Sequence, residues 1–402
     1  MSSESPHEEA LPFLWRLFPE MIFVTEILME EPVLRAVLVG FGYVSRTFHA
    51  PFLSTLPQWH LHGIVSRHGI PSNSAPATCQ IYTDPETAFA DPDVDLVVIA
   101  TPNDTHFPLA CAALRAGKHV VLEKPFALSL DEAREIIATA EQHDRHLCVF
   151  HNRRWDSDYL SIRAAIADGT IGRVTHFEST IDRFRPLVRD RWRESNARGA
   201  GVLYDIGPHL IDQALQIFGL PEQVYASLAL QRDNAQSDDW AHILLEYGAT
   251  RVILHTGSLA AEAAPRFVVH GTGGTLIKRL ADPQEAQLRE GMIPGHAGWG
   301  EDPDATEIYL AESESRPSPA LKGDQRELYR QLARALTGKA GNPIRPVEAL
   351  AVMAVIEAAV QSAHEKRAVP LALSPEEKRH WHDQASAQAG YPTPPPKAGP
   401  QE

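Results

Sequence analysis

Two short stretches of this sequence carry residues of the types that move protons. Residues 120–125 read VVLEKP, so Lys124 directly follows a run of strand-forming residues. Ligands in open α/β sheets bind outside the carboxyl ends of the strands, and a lysine at such an end is well placed to touch one. An exposed lysine before a turn proline fits the same pattern.

The second stretch, residues 204–209, reads YDIGPH. Asp205 and His209 are four residues apart, which would put them on one face of a predicted helix. The ordinary pKa of histidine, about 6.5, suits proton transfer near neutral pH, so the spacing predicts an acid–base pair. A surface pair on a helix is the alternative. No third ligand stands at an interval typical of zinc sites, and we predict no metal.

A glycine-rich turn precedes both stretches. Residues 34–39, LRAVLV, form a predicted strand that ends in GFGYVS at 40–45, a dinucleotide fingerprint with Ser45 in the third glycine position. Gly40 permits the tight turn, Gly42 lets the backbone approach a pyrophosphate, and a small third residue lets the helix pack on the strand. The free N–H groups of the helix favour phosphate. The pattern predicts dinucleotide binding.

The end of the next predicted strand, residues 61–65, indicates which dinucleotide. In an NAD site an Asp or Glu about 20 residues after the glycines holds the ribose 2′-hydroxyl, but no carboxylate lies between Gly40 and Asp84. Ser66 and Arg67 stand in that place instead. Charge-assisted hydrogen bonds from these groups to a 2′-phosphate would contribute about 1.5–3 kcal/mol each, so we predict NADP, with NAD possible. A solvated loop arginine is the alternative.

Secondary-structure patterns divide the 402 residues into two regions. Strand and helix patterns alternate up to residue 150, which predicts an α/β dinucleotide-binding Rossmann domain over 33–150. Residues 151–373 contain longer, partly alternating strands that indicate an antiparallel sheet with one covered face, in a substrate-binding domain. We expect residues 1–32 to be a disordered extension, with Met29 the natural start, and 374–402 to be a Pro-rich tail, disordered from Tyr391.

Composition excludes several classes of partner. The formal net charge of −15 argues against nucleic acid and anionic membranes. The apolar run 11–29 carries three charged residues and two prolines, which makes it a poor membrane span, and it lacks the features of a signal peptide. The three cysteines are typical of reduced packing thiols. We therefore expect a cytoplasmic protein.

Four ordered motifs resemble the Gfo/Idh/MocA oxidoreductase family over about residues 34–373. They are GFGYVS at 40–45 with HAP at 49–51, TPN at 101–103 with His106, EKP at 123–125, and Asp205 with His209. The stretches 151–156, 185–186, 191–194 and 204–205 are similar to the branch that includes NADP-dependent scyllo-inositol dehydrogenases. Together the four motifs are far more specific than any one of them.

The resemblance implies a Rossmann domain followed by an α/β domain with an open, mostly antiparallel sheet, whose exposed face often forms homodimers or homotetramers. It also implies that Lys124 hydrogen-bonds the reacting oxygen, that His209 exchanges its proton, and that Asp205 orients and tunes the site. A cis bond before Pro125 is a further expectation. The implied reaction is hydride transfer between a nicotinamide and a secondary alcohol of a polyol, cyclitol or sugar.

The resemblance and the motifs together assign residues to each ligand. For the cofactor they are Gly40, Gly42, Ser45, Ser66, Arg67, Thr101, Pro102, Asn103, His106, Glu123 and Lys124. For the substrate they are Arg153, Arg154, Arg191 and Trp192. Arginines and tryptophans also pack between domains, and this alternative stays open for the substrate set.

Two other functions are compatible with the fold. One is a glycosidase that works by transient oxidation on a retained NAD, and the other is a regulator that binds NADP without turnover. The absent ribose carboxylate argues against the first, and the intact set of Lys124, Asp205 and His209 argues against the second.

Overall fold

The computed structural model describes residues 32–67, 69–70, 78–311 and 314–385, except for the side chains of 383–385. The chain divides into a short unit, Met1–Pro32, and a main unit that begins at Val33. The predicted extension up to residue 31, with Met29, and the proline-rich stretch from Tyr391 lie outside the described residues.

The first part of the main unit alternates strands and helices. In chain order these are β1 (Leu34–Val39), a π-helical turn (Ser45–His49), α1 (Ala50–Ser54), β2 (Trp59–Val65), β3 (Gln80–Tyr82), α2 (Pro85–Ala90), β4 (Leu96–Ile99), α3 (His106–Arg115), β5 (His119–Leu122), α4 (Leu130–Gln142) and β6 (Leu147–Val149). All six strands are parallel, in the order β3-β2-β1-β4-β5-β6. The order reverses between β1 and β4, where such sheets open a crevice for ligands.

Local sequence explains these elements. Every residue of β4 is fully buried, as expected for a parallel strand covered on both faces. At the start of α4 the Ser129 hydroxyl accepts a hydrogen bond from Glu132 N at 3.2 Å. The carboxylate of Glu132 accepts from Leu128 N, at 2.9 Å, rather than from Ser129. Ser129 therefore caps α4, and the reciprocal bond of Glu132 goes to Leu128 N.

The second part of the main unit forms an eight-stranded sheet with helices. Its elements are a 3-10 turn (Asn152–Trp155), α5 (Ser157–Ala167), β7 (Val174–Thr180), α6 (Val202–Asp205), α7 (Gly207–Phe218), β8 (Gln223–Ala229), β9 (Trp240–Tyr247), β10 (Thr250–Gly257), β11 (Phe267–Gly271), β12 (Gly274–Lys278), α8 (Gln284–Arg289), β13 (Thr306–Leu310), β14 (Arg316–Ser318), α9 (Glu327–Leu336), α10 (Pro346–Glu365) and α11 (Pro375–Ala385). The strand order is β14-β13-β12-β11-β7-β10-β9-β8.

This second sheet is mixed but mostly antiparallel. Only the pairing of β7 with β10 is parallel among its named strand pairs in the described residues. Side chains alternate along β10, where Val252 and Leu254 are fully buried and Ile253 between them is half-buried. Helices α7 and α10 pack on the sheet, against β10 and β8. The predicted fold class is confirmed: a parallel Rossmann sheet followed by a mostly antiparallel sheet with one covered face.

The predicted continuous helix through Asp205 and His209 is wrong. Helix α6 ends at Asp205, and α7 begins at Gly207 with Pro208 in its first turn. Proline has no N–H to continue the helical ladder, and its ring collides with the carbonyl four residues earlier. It is accepted in a first helical turn, where that N–H would have no helical partner. The chain therefore starts a new helix between the two side chains.

The predicted tail from residue 374 begins with a packed helix. Arg134 Nε on α4 donates to Glu377 Oε1 on α11 at 2.7 Å, and Trp381 is buried. Among the described residues, α10 alone has the length and apolarity to cross a membrane, and 72% of that stretch is buried in the protein. Such burial is what a core helix of a globular protein shows, so α10 is weak support for a membrane span.

A buried ion network joins the 3-10 turn to two helices. Arg154, with 6% of its side chain exposed, donates from Nε and Nη2 to the Asp212 carboxylate of α7 at 2.9 and 2.6 Å. Its Nη1 donates to Glu348 Oε2 of α10 at 2.9 Å. One guanidinium therefore binds two buried carboxylates and fixes α7 against α10, while Arg345 supplies a second cation to Glu348 at 2.7 Å.

We expect Arg154→Met to destabilise the protein by about 3–5 kcal/mol, because it leaves Asp212 and Glu348 as buried charges without their shared cation. The measurement is the urea dependence of unfolding. Arg115→Met is the matched control, since the pair of Arg115 with Glu135 is more than half exposed at 3.8 Å and is worth at most about 1 kcal/mol. Equal stability of the two variants would contradict a structural role for Arg154.

Candidate active site

A cavity of about 340 Å³ lies where the two parts of the main unit meet. Tyr43, Val44 and Phe48, next to the glycine turn, form one wall. Lys124 enters from the end of β5, and Asp205 and His209 enter from the break between α6 and α7. The structure thus brings all three predicted catalytic residues to one place, although 81 residues separate Lys124 from Asp205.

Lys124 is held by Asp205. Its Nζ donates to the backbone carbonyl of Asp205 at 2.6 Å and approaches Oδ1 of the same residue at 3.4 Å. The next peptide bond, to Pro125, is cis, as expected. An ammonium has three N–H donors, so one of them is left to point at a ligand in the cavity.

The carboxylate of Asp205 lies among three cations. Besides Lys124, Arg183 Nη1 lies 3.5 Å from Oδ2 and Arg193 Nε lies 3.7 Å from Oδ1. Burial raises the pKa of Asp205, but the charges of Lys124 and the arginines outweigh it, so that the pKa falls well below its ordinary value. Asp205 is therefore ionised at neutral pH.

His209 is buried in the first turn of α7 with 7% of the residue exposed. Its Nδ1 has no hydrogen-bond partner in the described part of the chain, and no hydrogen bond there joins it to Asp205. Burial, followed by the charges of Lys124 and Arg153, lowers the pKa of His209 well below 6.5. The predicted acid–base pair is thus replaced by a neutral imidazole beside an Asp205 that contacts Lys124 instead.

Glu123 holds the loop that follows β5 in place. Its Oε2 accepts from Lys124 N at 3.0 Å, and its Oε1 lies 3.0 Å from His49 Nε2. The other ring nitrogen, Nδ1, lies 2.7 Å from the Tyr329 hydroxyl on α9. Burial raises the pKa of Glu123, but the His49 hydrogen bond and nearby charges bring it below its ordinary value. Glu123 thus positions the Lys124 backbone, and Tyr329 has no signal in the sequence that would have marked it.

The glycine turn fits a dinucleotide phosphate. Gly40 has φ +88°, and a Cβ there would lie 2.8 Å from the Ala100 carbonyl oxygen. A Cβ on Gly42 would meet no atom within 4 Å, so the space in front of it is open. The Ser45 hydroxyl donates to Gly40 O at 2.6 Å and closes the turn. The serine in the third glycine position therefore strengthens the turn.

The loop after β4 is tied to the loop after β5. His106 Nδ1 lies 2.9 Å from Pro125 O, and Nε2 lies 3.1 Å from Thr101 O. Asn103 Nδ2 donates to Gly199 O at 3.0 Å, across to the second part of the unit. Pro102 precedes the 3-10 turn over 103–105 and accepts from Thr105 N at 2.9 Å. These residues shape the crevice wall next to the glycine turn.

Ser66 and Arg67 lie at the end of β2, beside the same crevice. The Ser66 hydroxyl donates to Gly69 O at 2.6 Å, and Arg67 is exposed. Residues 68 and 71–77, next to them, lie outside the described part of the chain.

The four predicted substrate residues separate into two pairs. Arg153 and Arg191 line the cavity, where Arg153 contacts Asp156 and Glu285 at 3.0 Å each. Arg154 does not line it, because its guanidinium is used in the buried network with α7 and α10. Trp192 also lies outside the lining and stacks under Arg193, whose Cζ is 4.4 Å from the ring centre. The buried pairs of Arg154 therefore oppose its assignment to the substrate, and the assignment of Trp192 stays a prediction.

Sequence reasoning missed further arginines of the cavity. Those in the described lining are Arg183, Arg185, Arg189, Arg193 and Arg289. The first four come from one stretch, RFRPLVRDRWR at 183–193, which contains five arginines in a chain of net charge −15. That local density was the available signal. Among the described residues, no group of three His, Cys, Asp or Glu side chains could hold a metal.

Comparisons with known proteins agree with this geometry. Residues 34–151 match the profile described as the oxidoreductase family, NAD-binding Rossmann fold, GFO_IDH_MocA, and residues 163–371 match the C-terminal alpha/beta domain of the same family. The chain is 44% identical to the uncharacterized oxidoreductase YdgJ of Escherichia coli K12, over 84% of this chain and 99% of that protein.

Two further comparisons add a named activity and a solved structure. The scyllo-inositol 2-dehydrogenase (NADP(+)) IolW of Bacillus subtilis is 34% identical, over 83% of this chain and 95% of that protein. A crystal structure of a Klebsiella pneumoniae protein, 48% identical, superposes with a TM-score of 0.81 and covers 88% of this chain and 99% of its own.

We expect Gly40→Ala to weaken the binding of reduced dinucleotide by about tenfold or more, because the added methyl collides with Ala100 O and moves the turn away from the phosphates. Fluorescence titration measures the dissociation constant. Gly117→Ala is the control, since Gly117 also has a positive φ, +79°, but has open space around its Cβ position. Equal losses of affinity would assign the effect to backbone strain alone.

Proposed function

This chain belongs to the Gfo/Idh/MocA oxidoreductase family, and from that premise we propose that it transfers hydride between NADP and a secondary alcohol of a cyclitol, sugar or other polyol. The observation that supports it best is the meeting of Lys124 with a neutral His209 in a cavity bordered by the glycine turn. A relative named as an NADP-dependent scyllo-inositol dehydrogenase adds support for the alcohol and for the cofactor.

The proposed cofactor residues follow from the crevice. The turn at Gly40 and Gly42 would hold the pyrophosphate, and Ser66 with Arg67 would hold the 2′-phosphate that distinguishes NADP from NAD. When bound, the nicotinamide supplies the acceptor or donor of hydride. The loop at Thr101, which the buried His106 ties to Pro125, would keep the cofactor beside Lys124.

The proton is assigned to His209. An alcohol that loses hydride must also lose its hydroxyl proton, and a neutral imidazole at the cavity wall can accept it. Because the charges of Lys124 and Arg153 disfavour the imidazolium, the proton acquired would pass on readily to solvent or be returned in the reverse reaction. His209 therefore serves as base in oxidation and as acid in reduction.

Lys124 is assigned to the alcohol oxygen. Asp205 accepts from the Lys124 ammonium through its carbonyl and its carboxylate, which aims the third N–H and keeps the ammonium in place. As the oxygen gains negative charge, a preorganised cation in a partly buried site stabilises it more than water does. Asp205 is a positioning residue for Lys124.

We further propose that the protein works in the cytoplasm as a homodimer or homotetramer, joined through the partly exposed face of the eight-stranded sheet, and without nucleic-acid or membrane partners. The net charge of −15 and the free thiols of Cys79, Cys111 and Cys148 support this setting.

We expect Lys124→Met and His209→Ala each to lower kcat by about 10²–10⁴-fold, because each removes charge stabilisation or proton transfer from the reaction. The measurement is the absorbance of reduced nicotinamide with a panel of inositols, aldoses and sugar acids. For the wild type, the acid limb of kcat/KM for oxidation should lie below pH 6.5, since the imidazole must be neutral to accept the proton and its pKa is lowered.

Lys322→Met and His296→Ala, at exposed positions, are the controls and should retain full turnover. Calorimetry should show that NADP still binds to both catalytic variants. Full turnover in either catalytic variant would overturn the mechanism. If the wild-type protein binds NADP but turns over no alcohol, the alternative of a regulator without turnover is favoured. If purified protein retains NAD through dialysis, the alternative of a glycosidase is favoured.

We expect Arg67→Ala to weaken NADP binding by about 10–100-fold and NAD binding by less than about threefold, because only the 2′-phosphate gains a charge-assisted hydrogen bond of about 1.5–3 kcal/mol. Dissociation constants from calorimetry give both values. Arg173→Ala, at an exposed position in the second part of the unit, should change neither. Equal losses for the two cofactors would remove Arg67 from the 2′-phosphate site.

A further inference from the structure

Five arginines that follow β7 line the cavity that contains Lys124 and His209. This arginine cluster consists of Arg183, Arg185, Arg189, Arg191 and Arg193. Neither the proposed hydride transfer nor the assigned cofactor contacts need so many positive charges at the substrate side. A neutral polyol is recognised by hydrogen bonds and gains nothing from net charge in its site.

The backbone sets the direction of the first two arginines. Arg183 N donates to Gly257 O at 2.9 Å and Arg185 N donates to Ser258 O at 2.7 Å, so this segment runs as an extended strand beside the end of β10. Side chains alternate along an extended segment. Phe184, between them, is 58% exposed on the opposite side. Arg183 and Arg185 are thus placed in the cavity wall by the fold.

The carboxylates near the arginine cluster do not balance its charge. Asp205 is shared by Lys124, Arg183 and Arg193, at 3.4, 3.5 and 3.7 Å. Glu194 is shared by Arg189, Arg191 and Arg232, at 3.4, 2.6 and 2.9 Å. Each carboxylate therefore serves three cations. The described cavity lining as a whole has eight lysine and arginine side chains against three carboxylates, those of Glu123, Asp205 and Glu285, and so keeps a positive excess inside a chain of net charge −15.

Within the arginine cluster, Arg185 is the cation without an acid among the described residues. Among the described residues, no carboxylate oxygen lies within salt-bridge distance of its guanidinium, and its side chain makes no hydrogen bond there. Burial and then the charges of Arg183, Arg189 and Arg191 lower the pKa of Arg185 to about 10. A half-buried guanidinium among like charges is unfavourable unless an anion joins it.

We infer that the alcohol substrate carries an acid group, a carboxylate or a phosphate, and that Arg185 with the arginine cluster binds this group while Lys124 and His209 act on the hydroxyl. The guanidinium fork matches both acid groups through paired hydrogen bonds. This inference rests on the proposed function. The phosphates of the cofactor have their own sites at the glycine turn and at Ser66 and Arg67, so the acid group belongs to the substrate.

Matched substrate pairs test the inference on the wild-type enzyme with NADP. The pairs are glucose with glucuronate, and myo-inositol with myo-inositol 1-phosphate, which separate a carboxylate from a phosphate. We expect kcat/KM for one acid to exceed that of its neutral parent by about tenfold or more. That advantage should shrink as salt is raised, because salt screens the charges of the cavity.

Arg185→Met should lower kcat/KM for the acid by about 10–100-fold, mainly through KM, and should change that of the neutral parent by less than about threefold. Arg185→Lys should restore part of the loss, since it keeps the charge without the fork. Arg316→Met, at an exposed position on β14, is the control and should leave kcat/KM for the acid and for the neutral parent unchanged. If Arg185 had a purely structural role, Arg185→Met would lower kcat/KM for the acid and for the neutral parent by the same factor, and the ratio of the two values would not change.

The outcomes separate this inference from the proposed function. Turnover of neutral alcohols with no preference for either acid would overturn the inference and keep the hydride transfer. An acid that binds the NADP complex in calorimetry, loses affinity in Arg185→Met, and is never oxidised would support the inference and remove the hydride transfer. Weaker binding of NADP to Arg185→Met, with unchanged binding of the acids, would assign the arginine cluster to the cofactor and overturn the inference.

Discussion

The contact between Lys124 and Asp205 joins the two parts of this protein at the point where its chemistry is proposed to occur. One residue ends a strand of the parallel sheet, and the other ends a helix of the second part, 81 residues later. The lysine is only 14% exposed and the aspartate 21%, so each needs the other to offset the cost of leaving water. A displacement of either part would separate the partly buried charges of Lys124 and Asp205 and would remove one of the two residues from the wall of the cavity.

The same concentration of positive charge explains several properties of the site. It keeps Asp205 ionised although burial opposes this, and it keeps His209 neutral because burial and positive charge act in the same direction on an imidazole. A neutral base beside a held cation suits the hydride transfer from an alcohol that we propose. The positive excess that remains at Arg185 is what an anionic substrate would neutralise.

Buried networks behind the cavity hold this arrangement in place. The chain from Glu123 through His49 to Tyr329 connects the Lys124 backbone to α9, and Arg154 fixes α7, which carries His209, against α10. Networks of this kind are costly when incomplete, since each lost partner leaves a buried charge or polar atom. Rigidity of the site therefore depends in part on His49, Tyr329 and Arg154, which do not line the cavity.

The sequence by itself determined the Rossmann domain and the glycine turn, and it marked Lys124 and His209 as candidates. These depend on local patterns: strand and helix periodicity, glycine conformation and the chemistry of neighbouring residues. Only the tertiary structure decided which of these residues contact one another. A new helix starts between Asp205 and His209, burial removed Arg154 from the substrate set, and an extended segment beside β10 placed Arg183 and Arg185 in the cavity. Contacts between residues so far apart in the chain depend on how the two sheets pack together, and no local sequence pattern specifies that packing.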